Sequence, residues 1–442
     1  MVDNSIIVAP ATALGGAIAV IRISGEGSVA CCDRIFKGRK PLSEAKSHTI
    51  HYGTICDGEH IVDDVVAAVF RAPHSYTGEE SVEISIHGSR YIAQEVIRLL
   101  CENGARMAEA GEFSQRALAA GRIDLSQAEA VADLIAAESH AAHAVASTQM
   151  RGGYSEMLEG LREELLNITT LLELELDFSE EDVEFADRAR LRNMLEHTDS
   201  MVNRLMNSFR VGNAIREGVA VAIVGRPNVG KSTLLNRLVG DDRAMVSDIA
   251  GTTRDTIEEC VVIDDIKFRF VDTAGLHDTD DRLEQMGIER TERAMRQAQI
   301  VLYVVEADND TVELPKLTDK QTLIVVANKM DLSAERTIDG AIYISARNGE
   351  GVDMLRTALR NTIDTDGLYR GEVVVSNLRH FEALTRAHAS LQAALAALDN
   401  GISEELLSED IRSAITSLAE ITGKITSDDI LKNVFSRFCI GK

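Results

Sequence analysis

The segment from Gly225 to Ser232, GRPNVGKS, combines two glycines with a lysine and a hydroxyl group, and these residue types together can bind phosphate. The glycines allow successive backbone N–H groups to converge on phosphate oxygens. Lys231 can neutralise β- and γ-phosphate oxygens, and the Ser232 hydroxyl can ligate magnesium. The apolar run VAVAIVG precedes the segment and the helix-like TLLNRLVG follows it, as a nucleoside triphosphate loop requires.

Three further segments, DTAG, NKMD and SAR, follow in an order that indicates GTP as the nucleotide. Asp272 comes after a predicted strand, where its carboxylate can hold the water shell of magnesium while the Gly275 N–H contacts the γ-phosphate. Asp331 can accept hydrogen bonds from the N1–H and 2-amino group of guanine, which adenine does not offer. Residues 345–347 would then close the base pocket.

The segment SDIAGTTRD, residues 247–255, lies between the helix after the phosphate loop and a predicted hairpin, where a nucleotide-sensing switch belongs. Thr253 is the candidate for a second hydroxyl on magnesium, beside Ser232. The glycine at position 251 permits the backbone to rearrange with nucleotide state. The residues predicted to contact GTP are Asn228, Val229, Gly230, Lys231, Ser232, Thr233, Ser247, Asp248, Ile249, Ala250, Gly251, Thr252, Thr253, Asp272, Thr273, Ala274, Gly275, Asn328, Lys329, Asp331, Ser345, Ala346 and Arg347.

Alternating strands and helices must position these segments. From about residue 217, short apolar runs alternate with helical stretches, which predicts a mostly parallel sheet wound with helices. One antiparallel hairpin is predicted to turn at Asp264 and Asp265. The first ~120 residues have an α+β pattern. Its predicted strands are 17–24, 63–70 and 81–88, and its predicted helix is 91–104, stopped by Gly104.

Helical patterns lie on both sides of the alternating region. Asp124 and Gln127 fit a capping box at the start of an alanine-rich helix, and residues after about 375 are again predicted to be helical. A stripe on one intermediate helix would pack against other helices, and it consists of Leu161, Leu165, Ile168, Leu172 and Leu176. The pattern indicates one helical domain into which the α/β domain is inserted.

Composition and charge limit the class of protein. A chain of 442 residues with 45% hydrophobic residues can form ~3 globular domains. Its net charge of −25 argues against tight, nonspecific binding of nucleic acid by this chain alone. The six cysteines show no zinc-site spacing, and we find no signal-peptide or membrane-span pattern, so a reduced, cytoplasmic setting is predicted. The final CIGK does not fit a prenylation signal.

Two other patterns allow an ordinary structural interpretation beside a functional one. His140 and His143 lie at helical spacing, but without a further ligand an ordinary helix face is favoured over a metal site. Arg22 is a charge within an apolar strand, and Glu83 occupies the polar phase of SVEISIHG. Arg22 is either paired internally, which is the commoner outcome, or held towards an anionic or carbonyl-bearing ligand.

The motifs GRPNVGKS, GTTRD and DTAGL, the segment GEFSQRALAAGRIDLSQAEAVADLI and the final FCIGK together resemble the tRNA-modification GTPases of the MnmE family, also called TrmE. The resemblance spans the whole chain and implies a multidomain α/β fold. The implied domains are an α+β, folate-binding-like dimerisation domain at 1–119, a discontinuous all-α helical domain at 120–215 and 376–442, and an inserted P-loop, Ras-like G domain at 216–375.

This resemblance implies a cation-dependent GTPase in which two G domains meet across their switch regions. A potassium ion would bridge phosphates in place of an arginine finger, a group worth ~10³ to 10⁵ in rate. The implied potassium ligands are Asn228, Ser247, Ile249 and Thr252, with backbone oxygens used at Ser247 and Ile249. The alternative to potassium binding by Asn228 is an Asx turn that stabilises the loop.

The residue after DTAG is Leu276, whereas familiar small GTPases have there a glutamine that orients the attacking water. The resemblance implies that Glu284, in RLEQMG, takes this role through a bridging water once the G domains dimerise. The alternative is that Glu284 is a solvated charge at the exposed start of a helix.

The resemblance also assigns Arg22, Glu83, Arg122 and Lys442 to a site for a tetrahydrofolate derivative, in the 5,10-methylene or 5-formyl form. The Glu83 carboxylate would meet donor nitrogens of the pterin. Arg122 stands where many relatives have lysine, which keeps the charge but changes the donor geometry. Cys439 aligns with the family's tail cysteine, and we expect it to have a structural or substrate-positioning role.

The implied function is GTP hydrolysis coupled to aminomethyl-type modification at C5 of the wobble uridine of certain tRNAs. A partner of the MnmG (GidA) type would join the homodimer in a heterotetramer and supply FAD chemistry, since this chain has no dinucleotide fingerprint. Two rival functions remain. One is a ribosomal-RNA assembly GTPase, which would predict an RNA-binding module that the sequence does not show. The other is a structural switch that scarcely hydrolyses GTP.

Overall fold

The computed structural model describes residues 3–177, 188–240, 259–271, 293–308, 314–318, 321–332, 338–363, 372–402, 404–436, 438 and 441. Contacts divide the chain into two compact units. The first consists of Met1–Ala132, Gln149–Arg162 and Ile415–Lys442, and the second consists of Asp133–Thr148 and Glu163–Ala414. Within the described ranges each unit contains one β-sheet, and the second sheet follows the first in the chain.

The sheet of the first unit has seven strands in the order β3-β4-β5-β6-β2-β1-β7. All pairings are antiparallel except that of β1 with β7, which is parallel. The three predicted strands are confirmed as β2, β5 and β6. The strands are β1 (Ile6–Pro10), β2 (Ile18–Ser24), β3 (Phe36–Gly38), β4 (Thr49–Asp57), β5 (His60–Phe70), β6 (Ser81–His87) and β7 (Ala105–Met107).

The two faces of this sheet differ because side chains alternate along each strand. One face forms a core with helices α1 (Ser28–Asp33) and α2 (Arg90–Glu102), and it buries Ile21 and Ile84. The helix predicted at residues 91–104 is confirmed as α2. On the other face, the register sets the Arg22–Glu83 pair in one row with Ala68 and the exposed Ile50.

Helix α3 (Glu112–Ala119) carries a buried network of charged side chains, to which the GEFSQRAL segment contributes Glu112 and Arg116. The Arg116 guanidinium lies 3.0 Å from Glu112 and 3.2 Å from Glu79, and Arg106 lies 2.6 Å from Glu112. Burial raises the pKa of Glu112, but the hydrogen bonds from Arg106, from the Glu109 N–H and from Arg116 outweigh it, so the pKa lies below its usual range. The carboxylate therefore stays charged inside the domain.

Four helices follow along the chain, and their sequence signals are confirmed where the structure describes them. The capping box is reciprocal: the Gln127 N–H donates to Asp124 Oδ1 at 2.8 Å, and the Asp124 N–H donates to Gln127 Oε1 at 2.9 Å. The predicted leucine stripe is buried from Leu161 to Leu172, whereas the side chain of Leu176 lies outside the described part. The helices are α4 (Leu125–Ala136), α5 (His140–Met150), α6 (Gly153–Asp177) and α7 (Arg188–Glu217).

The sheet of the second unit has six strands in the order β13-β12-β11-β8-β10-β9. Every pairing is parallel except the β9–β10 hairpin, as predicted. Asp264 and Asp265 turn this hairpin with φ values of 44° and 67°. The strands are β8 (Val219–Val224), β9 (Glu259–Ile263), β10 (Ile266–Phe270), β11 (Ile300–Glu306), β12 (Thr322–Asn328) and β13 (Ile342–Tyr343), with helices α8 (Lys231–Gly240) and α9 (Val352–Arg360) beside them.

Three further helices among the described residues are α10 (Leu378–Asp399), α11 (Glu404–Thr422) and α12 (Asp428–Phe435). Helix α12 packs Phe435 and Val434 against Leu125 of α4 in the first unit. Gly111 must be glycine there, because an added Cβ would lie 2.9 Å from the Phe435 carbonyl oxygen and φ is 70°. None of the described helices has both the length and the apolar character needed to cross a membrane.

A short helical segment, Asp133–Thr148, contacts the β9–β10 hairpin and the end of α7 within the second unit. Glu138 lies 2.7 Å from Lys267 of β10, and Asp133 lies 2.8 Å from Arg216 of α7. Ala141 and Val145 pack with Ile215 in a small apolar cluster. The segment is thus joined by an ion pair to the strand that precedes the DTAG motif, and by charge and apolar packing to the end of α7.

Candidate functional site

The phosphate loop connects β8 to α8, as the sequence predicted. All six residues of β8 are buried, so the strand is fixed on both faces. Gly225 ends the strand with φ 153°, and an added Cβ there would overlap the carbonyl oxygen of Val304 on the neighbouring β11. Only glycine permits this close approach of the two backbones. The loop therefore leaves the sheet at one defined point and turns into the N-terminus of α8.

Lys231, the first residue of α8, folds its side chain back over this loop. Its Nζ donates to the carbonyl oxygens of Gly225 and Arg226, both at 2.9 Å. Burial lowers the pKa of Lys231. Phosphate oxygens carry full charge and make stronger hydrogen bonds to an ammonium group than carbonyl oxygens do. The lysine is therefore held at the loop by weak partners that phosphate can replace.

The residues on either side of Lys231 present oxygen atoms. Asn228 is exposed and adopts a left-handed conformation with φ 62°. Ser232 lies half-buried in the first turn of α8, and Thr233 is exposed beside it. Hard cations such as magnesium and potassium prefer oxygen ligands, so the types and placement of Asn228 and Ser232 fit both ions.

One buried side chain joins the phosphate loop to the base side of the site. Asn328, the last residue of β12, donates from Nδ2 to the Val229 carbonyl at 2.7 Å, and its Oδ1 accepts from the Ala346 N–H at 3.0 Å. Gly230 leaves room for this amide, because an added Cβ would overlap Asn328 Nδ2. Asn328 therefore brings three predicted motifs together.

The other base-side residues occupy the same edge of the sheet. Lys329 has φ 65° and forms an ion pair with Glu306, the last residue of β11. Asp331 is exposed, as an acceptor for a base requires. Ser345 is fully buried and shapes the loop, since its N–H donates to the Glu350 carbonyl at 2.9 Å and its carbonyl accepts from the Gly349 N–H at 2.8 Å.

Several predicted site residues lie outside the described residues. These are the switch segment Ser247–Thr253, the segment Asp272–Gly275 with Leu276, the water-orienting candidate Glu284, and Cys439 and Lys442 of the tail. Of the two proposed magnesium ligands and four proposed potassium ligands, the structure therefore places Ser232 and Asn228.

The second predicted site lies on the outer face of the first sheet. Arg22 and Glu83 are register partners, and both Nε and Nη2 of Arg22 donate to Glu83 Oε1, at 2.9 and 2.8 Å. The guanidinium carbon lies 5.4 Å from the ring centre of Tyr76 and 5.8 Å from that of Phe113. Tyr76 is itself fixed by a 2.8 Å hydrogen bond between its hydroxyl and that of Ser114. Of the two interpretations of Arg22, the structure shows internal pairing.

Arg122 is exposed, and no direct contact of it with Arg22 or Glu83 occurs among the described residues. Its side chain lies beside the loop that carries Tyr76, because a Cβ added to Gly78 would come 3.4 Å from Arg122 Cγ. From the tail, Gly441 packs on the end of β1, where an added Cβ would overlap the Pro10 carbonyl. The tail therefore reaches the same sheet as Arg22.

Three residues that contribute to these sites were not predicted from the sequence. Glu306, which holds Lys329, could have been found because it ends a predicted strand at the same edge as Asn328. Tyr76 and Phe113 could not, because they are distant in sequence from Arg22 and no periodicity relates them.

The strand order, the phosphate loop and the asparagine that links it to the base side define a P-loop nucleotide site of the GTPase class. A family model described as the MnmE helical domain matches residues 125–439, and one described as the GTP-binding protein TrmE N-terminus matches residues 6–122. The chain belongs to the MnmE family, and it is a GTPase with a multidomain α/β fold.

Full-length relatives agree with this assignment. The chain is 47% identical over an alignment of 464 residues to the tRNA modification GTPase MnmE of Bacteroides thetaiotaomicron, with 100% of both chains covered. It is 48% identical over 464 residues to that of Bacteroides fragilis, again with 100% of both covered. Among solved structures, a point variant of Aquifex aeolicus Era bound to GDP.AlF4- is 25% identical over 38% of this chain and 65% of its own, with a TM-score of 0.25, too low to add support.

The contact between Gly230 and Asn328 generates a prediction. We expect Gly230→Ala to reduce affinity for a fluorescent GDP analogue by at least ~10-fold, because the methyl group displaces the Asn328 amide and leaves buried polar groups unpaired. The matched control is Gly240→Ala at the end of the same helix, where an added Cβ meets nothing within 4 Å. Equal affinities of the two variants in fluorescence titration would contradict this role of Asn328.

Proposed function

We propose that this chain hydrolyses GTP to GDP and phosphate and, with an FAD-dependent partner, takes part in C5 (carboxymethyl)aminomethyl modification of the tRNA wobble uridine. The observation that carries the proposal is a site in which Asn328 joins the phosphate loop to the guanine side, in a chain of the MnmE family. Relatives of the same length are named tRNA modification GTPases, which supports the same role here.

We propose the domain boundaries 1–119, 120–215 with 376–442, and 216–375, and a homodimer formed through the first of these domains. The outer face of the first sheet supports the homodimer. Ile50 and Tyr52 on this face are 72% and 69% exposed. Burying one such side chain contributes about 1.5–3 kcal/mol, so a second copy would stabilise this face.

For hydrolysis, we propose that magnesium is held by Ser232 and Thr253, and potassium by Asn228 together with Ser247, Ile249 and Thr252. Potassium would supply positive charge beside the phosphates that react, where other GTPases use an arginine. The exposed position and left-handed backbone of Asn228 fit this role, because its amide oxygen is free to face a ligand above the loop. Lys231 binds the β- and γ-phosphate oxygens from the helix side.

Glu284 is proposed to orient the attacking water when two G domains meet. Leu276 cannot do so, because an aliphatic side chain has no hydrogen-bonding atom. The carboxylate of Glu284 would act through a bridging water, so its own distance from the phosphate need not be short. This arrangement makes hydrolysis depend on dimerisation of the G domains.

The Arg22–Glu83 pair fits a reduced folate. Both contacts of Arg22 use Glu83 Oε1, and among the described residues no hydrogen bond reaches Oε2, while the side chain is 31% exposed. A carboxylate oxygen fixed in this way can accept the N–H groups of a pterin. We propose that Arg22, Glu83, Arg122 and Lys442 hold a methylene-tetrahydrofolate, which would supply a one-carbon unit, and that Cys439 helps to position the tail.

The FAD-dependent partner, of the MnmG type, is proposed to form a heterotetramer with the homodimer and to bring the tRNA. The net charge of −25 supports this division, because a strongly acidic chain repels the phosphate backbone. Since GTP and tRNA are the proposed substrates, we place the reaction in the cytoplasm.

The proposed biological role can be tested by mass spectrometry of tRNA nucleosides from cells that lack this chain. We expect the C5-modified wobble uridines to disappear, to return with the wild-type gene, and not to return with Lys231→Ala, which removes the phosphate-binding ammonium. The control for expression is Asn361→Ala, an exposed position after α9. Unchanged wobble uridines in the deletion strain would show that the role is wrong.

Potassium dependence provides a second test. We expect GTP turnover to fall on the order of 10²-fold when potassium is replaced by sodium, as when one group that stabilises transition-state charge is removed. Asn228→Gly should bind GDP as the wild type does, since φ 62° suits glycine, yet show the low turnover in both salts. Equal turnover in both salts would refute the potassium site.

Glu284→Ala should bind GTP and hydrolyse it slowly. Wild-type turnover of Glu284→Ala would refute the role of Glu284 in orienting the water.

Folate binding can be tested separately by isothermal titration with 5-formyl-tetrahydrofolate. We expect Glu83→Gln to weaken binding at least ~10-fold, because it loses both the charge that fixes Arg22 and a charged acceptor. Glu80→Gln is the matched control, because Glu80 pairs with Arg71 at 2.6 Å with similar exposure. GTP turnover should be unchanged in both variants, and equal folate affinities would exclude the Glu83 site.

A further inference from the structure

Arg237 lies on α8, two turns after the phosphate loop, and no nucleotide motif includes it. Its guanidinium reaches the loop on the base side of the site. Nη2 donates to the Arg347 carbonyl at 2.6 Å, and Nε lies 3.3 Å from the Ala346 carbonyl. Arg237 therefore contacts two successive carbonyl groups of the segment that was predicted to close the guanine pocket.

These contacts fix the orientation of the loop peptides. In a trans peptide the carbonyl and the following N–H point in opposite directions. Because Arg237 holds the Ala346 carbonyl, the N–H of Arg347 faces away from α8. The next N–H, of Asn348, lies 3.3 Å from Ser345 Oγ, and the preceding one, of Ala346, donates to Asn328.

The N–H of Arg347 differs from these neighbours. Among the described residues it has no hydrogen-bond acceptor, and Arg347 is exposed. A fixed N–H without a protein acceptor beside a base pocket is a donor suited to a carbonyl oxygen of a ligand. Guanine has such an oxygen at C6, where adenine has an amino group that cannot accept.

We propose that Arg237 is a positioning residue for guanine recognition: it orients the Ala346–Arg347 peptide so that its N–H binds the C6 oxygen of the base. This inference rests on the GTP site described above. Asp331 meets the donors of guanine, and the peptide held by Arg237 meets its acceptor. The base is then recognised through its hydrogen-bond donors and through its acceptor.

The geometry favours arginine over lysine at this position. The guanidinium carries donors in a fixed planar fork, which can contact two neighbouring carbonyls, whereas lysine is a single point charge on a flexible stem. Gly349 lies next to the guanidinium, since a Cβ added there would be in ordinary contact with Arg237 Cζ at 3.8 Å. Arg237→Lys should therefore keep the charge and lose the orientation.

The test compares two nucleotides in fluorescence competition titrations. GTP has the C6 oxygen, and 2-aminopurine riboside triphosphate lacks it. We expect Arg237→Ala to weaken GTP about 10-fold, the effect of one lost hydrogen bond, and to change the affinity for the analogue by less than ~2-fold. Arg237→Lys should give a smaller loss confined to GTP. Asn236→Ala, an exposed neighbour on the same helix, should bind both as the wild type does.

A purely structural role of Arg237 gives a different result. A loosened fold would weaken both nucleotides equally and lower the melting temperature of the nucleotide-free protein. Equal losses for the two nucleotides, or no loss of GTP affinity, would overturn the proposal. Arg237→Lys decides the matter if Arg237→Ala does not fold. Failure of the wild-type protein to bind GTP would instead refute the proposed function.

Discussion

The nucleotide site depends on one buried amide, that of Asn328. Its two ends satisfy the Val229 carbonyl of the phosphate loop and the Ala346 N–H of the base-side loop. A buried polar group that loses its partner costs about 1–3 kcal/mol, so neither loop can move away without a penalty. Gly230 leaves room for this amide, because a Cβ added to Gly230 would overlap Asn328 Nδ2. The phosphate and base sides are therefore one unit with fixed spacing, which suits a ligand of fixed length.

In the first unit a comparable constraint comes from sheet register. Direct pairing of β2 and β6 sets Arg22 opposite Glu83, and the rings of Tyr76 and Phe113 confine the guanidinium. Partly buried charges of this kind are costly unless they are paired. Both contacts of Arg22 use Glu83 Oε1, and among the described residues no hydrogen bond reaches Oε2. The strand pairing thus gives this carboxylate a defined position, in one row with Ala68 and the exposed Ile50.

Features whose determinants are adjacent in the chain could be predicted from the sequence. The capping box of Asp124, the hairpin turn at Asp264 and the glycines of the phosphate loop each depend on neighbouring residues, and all are present. Contacts between distant residues were not accessible. The bond from Arg237 to Arg347 spans 110 residues, and no motif states which side chain of α8 will reach that loop. The internal pairing of Arg22 was one of two open interpretations, and the register of β2 with β6 is what brings Glu83 beside it.

The contact between Glu138 and Lys267 has a consequence for communication along the chain. Lys267 belongs to β10, whose last residue precedes Asp272 by two positions, so the strand that leads into the DTAG motif also contacts the helical segment Asp133–Thr148. Thermodynamic linkage makes such a connection mutual. To the extent that nucleotide displaces this strand, it changes the energy of the helical segment. If there is such a displacement, a molecule that binds the segment would change nucleotide affinity by the same factor.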